Sequence, residues 1–392
     1  MTLSTPAHWD NDEHQIIFDG SAFIAVWERR DNGATVVQSS RSTDGGLTWS
    51  PAVTVGGNFA DRPSIAASAA GIVVGWRDQE GGEEKLRAAR STDGGASWHP
   101  YVEFYTGVNT YPTALHLTSN GTRVTAIWRH NVTLSRIYSA STTDGGVTWS
   151  TPVAISEDGK QSEDPHAISD GTRITAIWHL GSTGNEVVQT AFSIDGGASW
   201  STPQNLSSTD RRADLPRVIF DGDVIIAAWA HEDADGDFRI QIASSADGGV
   251  TWAPTITLSP PDDSGIEPQL VRNGSATSII WEQRIGSYGR VQVSTSTDDG
   301  ATWSAPLTLS DDGGTGDTPA IISYGGTLTA AWQRHDGQAW RVQTSSLSPA
   351  AAPEPELALG GMPPPAAPAG LALALLALGG LALARRSRNQ QS

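Results

Sequence analysis

Short apolar runs rich in Val, Ile, Thr and Trp, each cut off by Gly, Asp, Asn or Pro, follow one another along almost the whole chain. Runs of this length and composition read as strands joined by tight turns. No long stretch ahead of the C-terminus carries a 3.6-residue apolar period. One group, beginning at Pro112, shows the pattern: PTALHLTSNG gives a strand and its turn (A), RVTAIWRH a second strand (B), SRIYSASTTDGGVTW a third (C), and STPVAIS a fourth (D). Asn-Gly, Asp-Gly and Gly-Gly supply the positive φ that two-residue hairpin turns need. The expectation is an all-β body.

The grouping repeats. A turn of the form Ser/Thr-x-Asp-Gly-Gly-x-Thr/Ser-Trp occurs six times, at Asp44/Trp49, Asp93/Trp98, Asp144/Trp149, Asp195/Trp200, Asp247/Trp252 and Asp298/Trp303, the last with Asp-Gly in place of Gly-Gly. The aspartates are 49, 51, 51, 52 and 51 residues apart. A second series, the tryptophan of each B strand, runs through Trp27, Trp76, Trp128, Trp178, Trp229, Trp281 and Trp332, which makes seven units. Four antiparallel strands about every fifty residues fit a propeller blade, so the expectation is a seven-bladed β-propeller over residues 1–348, with six blades as the alternative. The last unit lacks the box and strand D, while the N-terminal MTLS reads like the strand-D text PLTLS of the sixth unit. The N-terminal segment is therefore expected to supply the missing outer strand. Within each box, Asp heads a turn whose glycines take positive φ, and the Trp is expected to bury its ring against its own blade. A kit repeated in every blade reads as structural, because a catalytic site would occur once.

The formal net charge is -18, and Lys85 and Lys160 are the only lysines among 25 basic residues. So acidic a chain repels phosphate backbones, which argues against nucleic acid as a partner. There is no cysteine, and hence no disulfide or thiolate metal site.

The box and its spacing resemble the Asp-box, or bacterial neuraminidase repeat, of the sialidase superfamily. The resemblance implies the propeller fold; such boxes also occur in binding proteins and other glycoside hydrolases, so it does not fix activity. In propellers the D-to-A and B-to-C turns share the face around the axis, and the boxes lie on the opposite side. The D-to-A positions are Asp12-Glu13, Asp61-Arg62, Thr110-Tyr111, Glu163-Asp164, Asp214-Leu215, Ile266-Glu267 and Asp317-Thr318, six of the seven followed by Pro. The positions after the B-strand tryptophans give Glu28, Arg77-Asp78, Arg129-His130, His179, His231, Glu282-Gln283 and Gln333-Arg334. Unlike the boxes, these differ from unit to unit, as a single asymmetric site requires.

Sialidases hold the substrate carboxylate with three arginines, attack with a tyrosine activated by glutamate, and use an aspartate as acid and base. Carried onto this chain, the resemblance offers Arg62, Arg77 and Arg129 as a clamp, Tyr111 or Tyr288 as nucleophile, Glu28, Glu163 or Glu282 as its partner, and Asp61 as acid. The sialidase Arg-Ile-Pro signature has only Asp61-Arg62-Pro63 as its nearest counterpart, and sialidases have six blades. The leading expectation is therefore recognition of a glycan or a cell-surface protein without catalysis, by a monomeric disc whose binding face includes Glu13, Asp78, His130, Asp164, His179, Asp214, His231, Glu267 and Arg334. Trp340 could add a stacking surface for a sugar ring. Glycoside hydrolysis is the alternative. No cofactor is required, although Asp233-Ala-Asp235-Gly-Asp237 has the alternating carboxylates and turn glycine of a calcium loop without its later bidentate Glu.

Beyond Ser348 the text changes to a Pro/Ala-rich linker (349–368) and then a hydrophobic helix with a basic tail (369–392), GLALALLALGGLALA followed by Arg385, Arg386 and Arg388. With the Pro-Glu-Pro at 353–355 this resembles a PEP-CTERM sorting signal. It implies an exported protein held or processed at the cell envelope by the sorting machinery and the membrane. MTLSTPAHWD has neither the basic start nor the apolar core of a signal peptide, so export places the true start upstream.

Overall fold

A computed structural model describes residues 14–347, apart from 32–33, 108–110, 132, 182–185, 262, 287, 311–314, 325 and 336–339. Among these residues the chain forms seven antiparallel sheets in a propeller-like array. Six sheets have four strands and the last has three, and each strand bonds to the next in sequence. Among the described residues the helical content is one three-residue turn, Glu80–Gly82. No helix among the described residues is long and apolar enough to cross a membrane. The linker, the hydrophobic C-terminal helix and the N-terminal closing strand expected from the sequence all fall outside the described residues.

The A strands, His14–Phe18, Ala60–Ser68, Tyr111–Ser119, Ser162–Ser169, Ala213–Asp221, Ser264–Asn273 and Thr315–Tyr324, pack side by side in chain order and form the innermost layer. The B strands are buried on both faces, which explains why they read as continuous apolar runs: every residue of Ile174–Leu180 is buried. Alternate B residues serve different interfaces. Trp178 packs with Ile127, Ile137 and Ile155 of the third sheet, and Ile177 with Ala213, Val218 and Trp229 of the fifth. The core is thus a series of layers between sheets, each holding one B-strand tryptophan. Such a ring buries on the order of 200 Å², about 5 kcal/mol gross at about 25 cal/mol per Å².

The boxes brace these layers. In the first, Asp44 Oδ1 accepts from Ser42 Oγ and Thr48 N (2.8 and 2.9 Å), and Oδ2 from Thr48 Oγ1 (2.5 Å). Led by the Thr48 hydroxyl, these bonds hold the Asp44 carboxyl down to about 2.

The box tryptophans differ from the expectation of rings buried each against its own blade. All six, Trp49, Trp98, Trp149, Trp200, Trp252 and Trp303, are only half-buried, and most of them serve the layer toward the preceding sheet. Trp98 Nε1 donates to Ser39 Oγ and Trp200 Nε1 to Ser139 Oγ, both at 2.8 Å, and Trp149 stacks on Phe104 at 4.3 Å. Trp252 packs on the layer of Ile177, Val188 and Val218 between the fourth and fifth sheets, and Trp303 on that of Ile240, Ile242 and Ile279 between the fifth and sixth. Trp49 and Trp303 also tie back into their own boxes, each Nε1 donating at 3.1 Å, to Gly46 O and Gly300 O. Arginines of the preceding sheet answer: Arg41 donates to Asp93 O (3.2 Å) and Arg123 to Asp195 O (2.7 Å). The reason is the shortness of strand D, two residues in four of the sheets. It leaves the outer part of each interface for the box to cover, so the ring caps that edge with part of its surface in solvent.

Candidate functional site at the inner turns

Antiparallel pairing puts the boxes and the inner turns at opposite ends of each sheet: strand B begins at Ile174 opposite Ser193, beside the Asp195 box, and ends past Trp178 at His179 and Leu180. At that inner end the A strands share a feature the sequence reading missed. The register slips between Asp61 and Ser64, Glu163 and His166, Asp214 and Arg217, Ile266 and Gln269, and Asp317 and Ala320. The residue at each slip, Arg62, Asp164, Leu215, Glu267 or Thr318, has φ between 46° and 55° and precedes a proline. These are β-bulges carrying non-glycine residues in the left-handed region, a conformation costing about 1–2 kcal/mol that re-aims the side chain. In the third sheet the equivalent residue is Ala114 (φ 52°), with Thr113 opposite Arg129. Thr113 and Ala114 therefore take the place expected for Thr110-Tyr111, because Pro112 precedes its bulge by two residues instead of following it. Tyr111 stands at the strand's start, 58% exposed.

By register, three positions consequently face each junction: the bulge residue, the residue after the B-strand tryptophan, and the first bulge-flanking residue of the next sheet. Between the second and third sheets they are Arg62, Arg77 and Thr113; between the third and fourth, Ala114, Arg129 and Glu163; between the fourth and fifth, Asp164, His179 and Asp214. The next junction is apolar, with Leu215, Ala230 and Ile266. Between the sixth and seventh sheets stand Glu267, Glu282 and Asp317.

The contacts are specific. Arg77 Nε donates to Asp61 Oδ1 (2.8 Å), and Arg77 Nη1 is 3.6 Å from Glu84. Arg129 Nη1 meets Glu163 Oε2 at 2.8 Å, and its Nε donates to Thr113 Oγ1 at 2.9 Å. Glu28 takes Arg30 Nε (2.7 Å) and the Arg62 backbone N–H (3.3 Å); burial pushes its carboxyl up. His179 Nδ1 is 3.1 Å from Asp214 Oδ1 and 3.8 Å from Asp164 Oδ2. Burial works to strip the His179 proton, but Asp214, Asp164 and Glu163 outweigh it and the pKa is raised. Asp214 is held well below the usual range, the opposing burial being outweighed by His179, the Leu215 N–H and Arg212. In the last cluster burial, reinforced by Asp317, pushes Glu267 up to about 7 and Glu282 up to about 9 against Arg284 at 2.8 Å.

One register step further in, the A strands line up Gln15, Ser64, His116, His166, Arg217, Gln269 and Ala320. Gln15 Oε1 accepts from Ser64 Oγ and Ile65 N (both 3.1 Å), and the rings of His116 and His166 meet edge-on at 4.4 Å. Burial, with Arg217 assisting, lowers His116 to about 4; burial, with His116 and then Arg217 assisting, lowers His166 well below its ordinary value. Five of these seven residues directly follow a proline. A polar residue after Pro at the start of strand A was the signal that would have found four of them, Ser64, His166, Arg217 and Gln269.

The other expected residues lie around this centre. Asp78 binds Arg87 Nη1 at 2.9 Å, His130 Nδ1 meets the Tyr105 hydroxyl, and His231 Nε2 is 3.7 Å from Asp210. Arg334 pairs in register with Arg341 and Trp340 opens the last described strand, whereas Glu13 lies outside the described residues. Tyr288 is 59% exposed. Among the described residues neither Tyr111 nor Tyr288 is hydrogen-bonded to a glutamate. In the acidic loop Asp233 Oδ1 accepts from Asp235 N (2.9 Å) and Asp237 N (3.0 Å), Oδ2 faces Arg239 Nη2 (2.5 Å), and Asp237 accepts from Ser264 Oγ (3.0 Å). The loop is a braced turn around one guanidinium. Two other sets could hold a cation, Asp164/His179/Asp214 and Glu267/Glu282/Asp317, each bringing three ligand atoms within 4.8 Å of one another.

Comparison with known proteins adds the following. No curated protein matches the chain. Among solved structures, an ulvan lyase of a new polysaccharide lyase family, bound to -[GlcA(1-4)Rha3S]-, is 12% identical, with 87% of this chain and 91% of that one covered and a TM-score of 0.55. The β-propeller domain of the Trilobed protease from Pyrococcus furiosus, described as having an open velcro topology, is 8% identical over 88% of this chain and all of that one (100%), with a TM-score of 0.51. A Hadza microbial sialidase is 15% identical over 83% of this chain and 73% of its own, with a TM-score of 0.45. Residues 136–312 match the model of a BNR repeat-like domain, which spans the third to sixth Asp-boxes of this propeller fold.

Proposed function

We propose that the inner-turn face is a recognition surface for a glycan and that it binds without cutting. The observation that carries this reading is the pairing of its cations: Arg77 lies on Asp61, Arg129 on Glu163 and Arg212 on Asp214. Guanidinium groups already matched by carboxylates offer little net charge to an anionic sugar. They leave a ring of fixed donors and acceptors suited to hydroxyls. The exposed tyrosines, with no glutamate bonded to either, point the same way.

A second reading, glycoside hydrolysis, is favoured by one observation. Glu282, pushed up to about 9, lies beside Asp317, as a general acid lies beside its carboxylate partner.

A glycan array probed with the full chain tests the first reading. Saturable binding should fall at least about tenfold in Arg129→Ala, which leaves Glu163 unpaired. It should persist in Ile194→Ser, on a box at the far edge. Binding indifferent to Arg129 but sensitive to Ile194 would place the ligand elsewhere. We further propose that the protein acts outside the cell, held at the envelope by residues 369–392. The apolar run and terminal arginines support this, and fractionation of cells expressing the chain with and without those residues tests it.

A further inference from the structure

The junction of the fourth and fifth sheets converges differently from the others. His179 stands one residue before the end of its strand with the imidazole more than nine-tenths buried, its side chain 6% exposed. Its Nδ1 points between two carboxylates, one from the Asp164 bulge and one from Asp214 of the next sheet. Asp214 Oδ1 pairs with it at 3.1 Å, but the contact is too poorly aligned to satisfy the buried ring nitrogen. A buried nitrogen aimed at two anions calls for a cation between them.

The distances come close to one. Bonds of about 2.0–2.2 Å from a metal to imidazole nitrogen and carboxylate oxygen imply ligand-to-ligand edges of about 3.0–3.5 Å. The His179–Asp214 edge, 3.1 Å, lies inside that range and the His179–Asp164 edge, 3.8 Å, lies outside it. All three ligand atoms fall within 4.8 Å of one another, so an ion would draw the Asp164 carboxylate inward. The surroundings also fit. Asp214 Oδ2 is held by Arg212 Nη2 at 2.8 Å and its Oδ1 by the Leu215 N–H at 2.7 Å, so the carboxylate is oriented and Oδ1 keeps a second lone pair. On the far side of the ring Nε2 faces Glu163, 4.0 Å away and fixed by Arg129, where an outer carboxylate steadies a metal-binding histidine. The same three positions two sheets on hold Glu267, Glu282 and Asp317, with no imidazole.

We propose that Asp164, His179 and Asp214 form a mononuclear site for a divalent transition metal of the zinc or manganese class. One imidazole and two carboxylates suit those ions, whereas calcium takes oxygen ligands throughout. Three protein ligands leave coordination positions open. Resting on the reading of this face as a glycan surface, those positions take vicinal hydroxyls of the sugar. The competing occupant is a proton, which would make His179 an imidazolium between its aspartates.

Untagged full-length protein, stripped with chelator and dialysed, is titrated with Mn²⁺ and with Zn²⁺ by calorimetry. The proposal predicts one equivalent bound, no competition from Ca²⁺, and affinity at least about 100-fold weaker in both His179→Gln and Asp214→Asn, with circular dichroism unchanged. Ile194→Ser, on an exposed box turn at the far edge, should bind as the wild type does. No stoichiometric binding by folded wild type, or binding indifferent to both ligand substitutions, overturns the site. The metal titration needs no glycan, so its failure is distinct from failure of the recognition reading. If metal binds but glycan affinity is the same with and without chelator, the assignment of the open positions is overturned.

Discussion

Glu282 offers a test in which removing a charge stabilises the protein. Its carboxyl is 2% exposed, flanked by Asp317 and Arg284, and burial with the Asp317 charge pushes its pKa from 4.5 to about 9. Between those values the folded state keeps a proton that the unfolded chain releases, so rising pH favours unfolding. The contribution is fully present below pH 4.5 and is lost progressively up to about pH 9. At pH 7 the interval from the unfolded value is about 2.5 units, and at about 1.4 kcal/mol per unit the cost is about 3 kcal/mol. Glutamine is neutral at every pH, can donate to Asp317 as the protonated acid does, and still offers an oxygen to Arg284. Glu282→Gln should therefore raise unfolding free energy by about 2–3 kcal/mol at pH 7 and change it little at pH 4.5. Denaturant titrations of wild type and variant across pH 4.5–8.5 read this directly. A variant less stable than wild type at pH 7, with the difference independent of pH, would show that Glu282 is ionised and held by Arg284, and the reasoning would fail.

Two further substitutions probe the scaffold by the same assay. Trp178→Ala empties a fully buried interface between the third and fourth sheets and should cost about 3–5 kcal/mol; a loss under about 1 kcal/mol would deny that the B-strand tryptophans hold the layers together. Gly145→Ala places a Cβ 2.8 Å from Ala70 O at φ +70° and should cost about 2 kcal/mol or more, whereas a neutral result would mean that this box does not dock on the second sheet.

The repeat was legible because its two marks are local. A tryptophan every fifty residues and an Asp-Gly-Gly turn at fixed distance gave seven units, and the described residues form seven sheets. The bulges were not legible, because arginine, aspartate, leucine, glutamate and threonine before proline show no preference for positive φ. The proline that follows six of the seven positions marks the slip in five of them. That is why Tyr111 was aligned with Asp164 and Glu267 although its true counterpart is Ala114. Individually Asp164, His179 and Asp214 were recognisable as face residues. Their convergence depends on the packing of one sheet's bulge against the next sheet's first strand, a contact across fifty residues that no local pattern carries. Box tryptophans were misplaced for the same reason: Trp98 finds its acceptor at Ser39, in the preceding sheet, and Trp252 and Trp303 lie on layers shared with the sheet before their own.

Recognition without chemistry is tested most directly by the fate of a bound glycan. The best array ligand, incubated with stoichiometric full-length protein with and without Mn²⁺ over days and then analysed by mass spectrometry, should be recovered whole while remaining saturably bound. Shorter or unsaturated products, formed by the wild type and absent with Glu282→Gln or His179→Gln, would contradict the account and make the inner-turn face an active site.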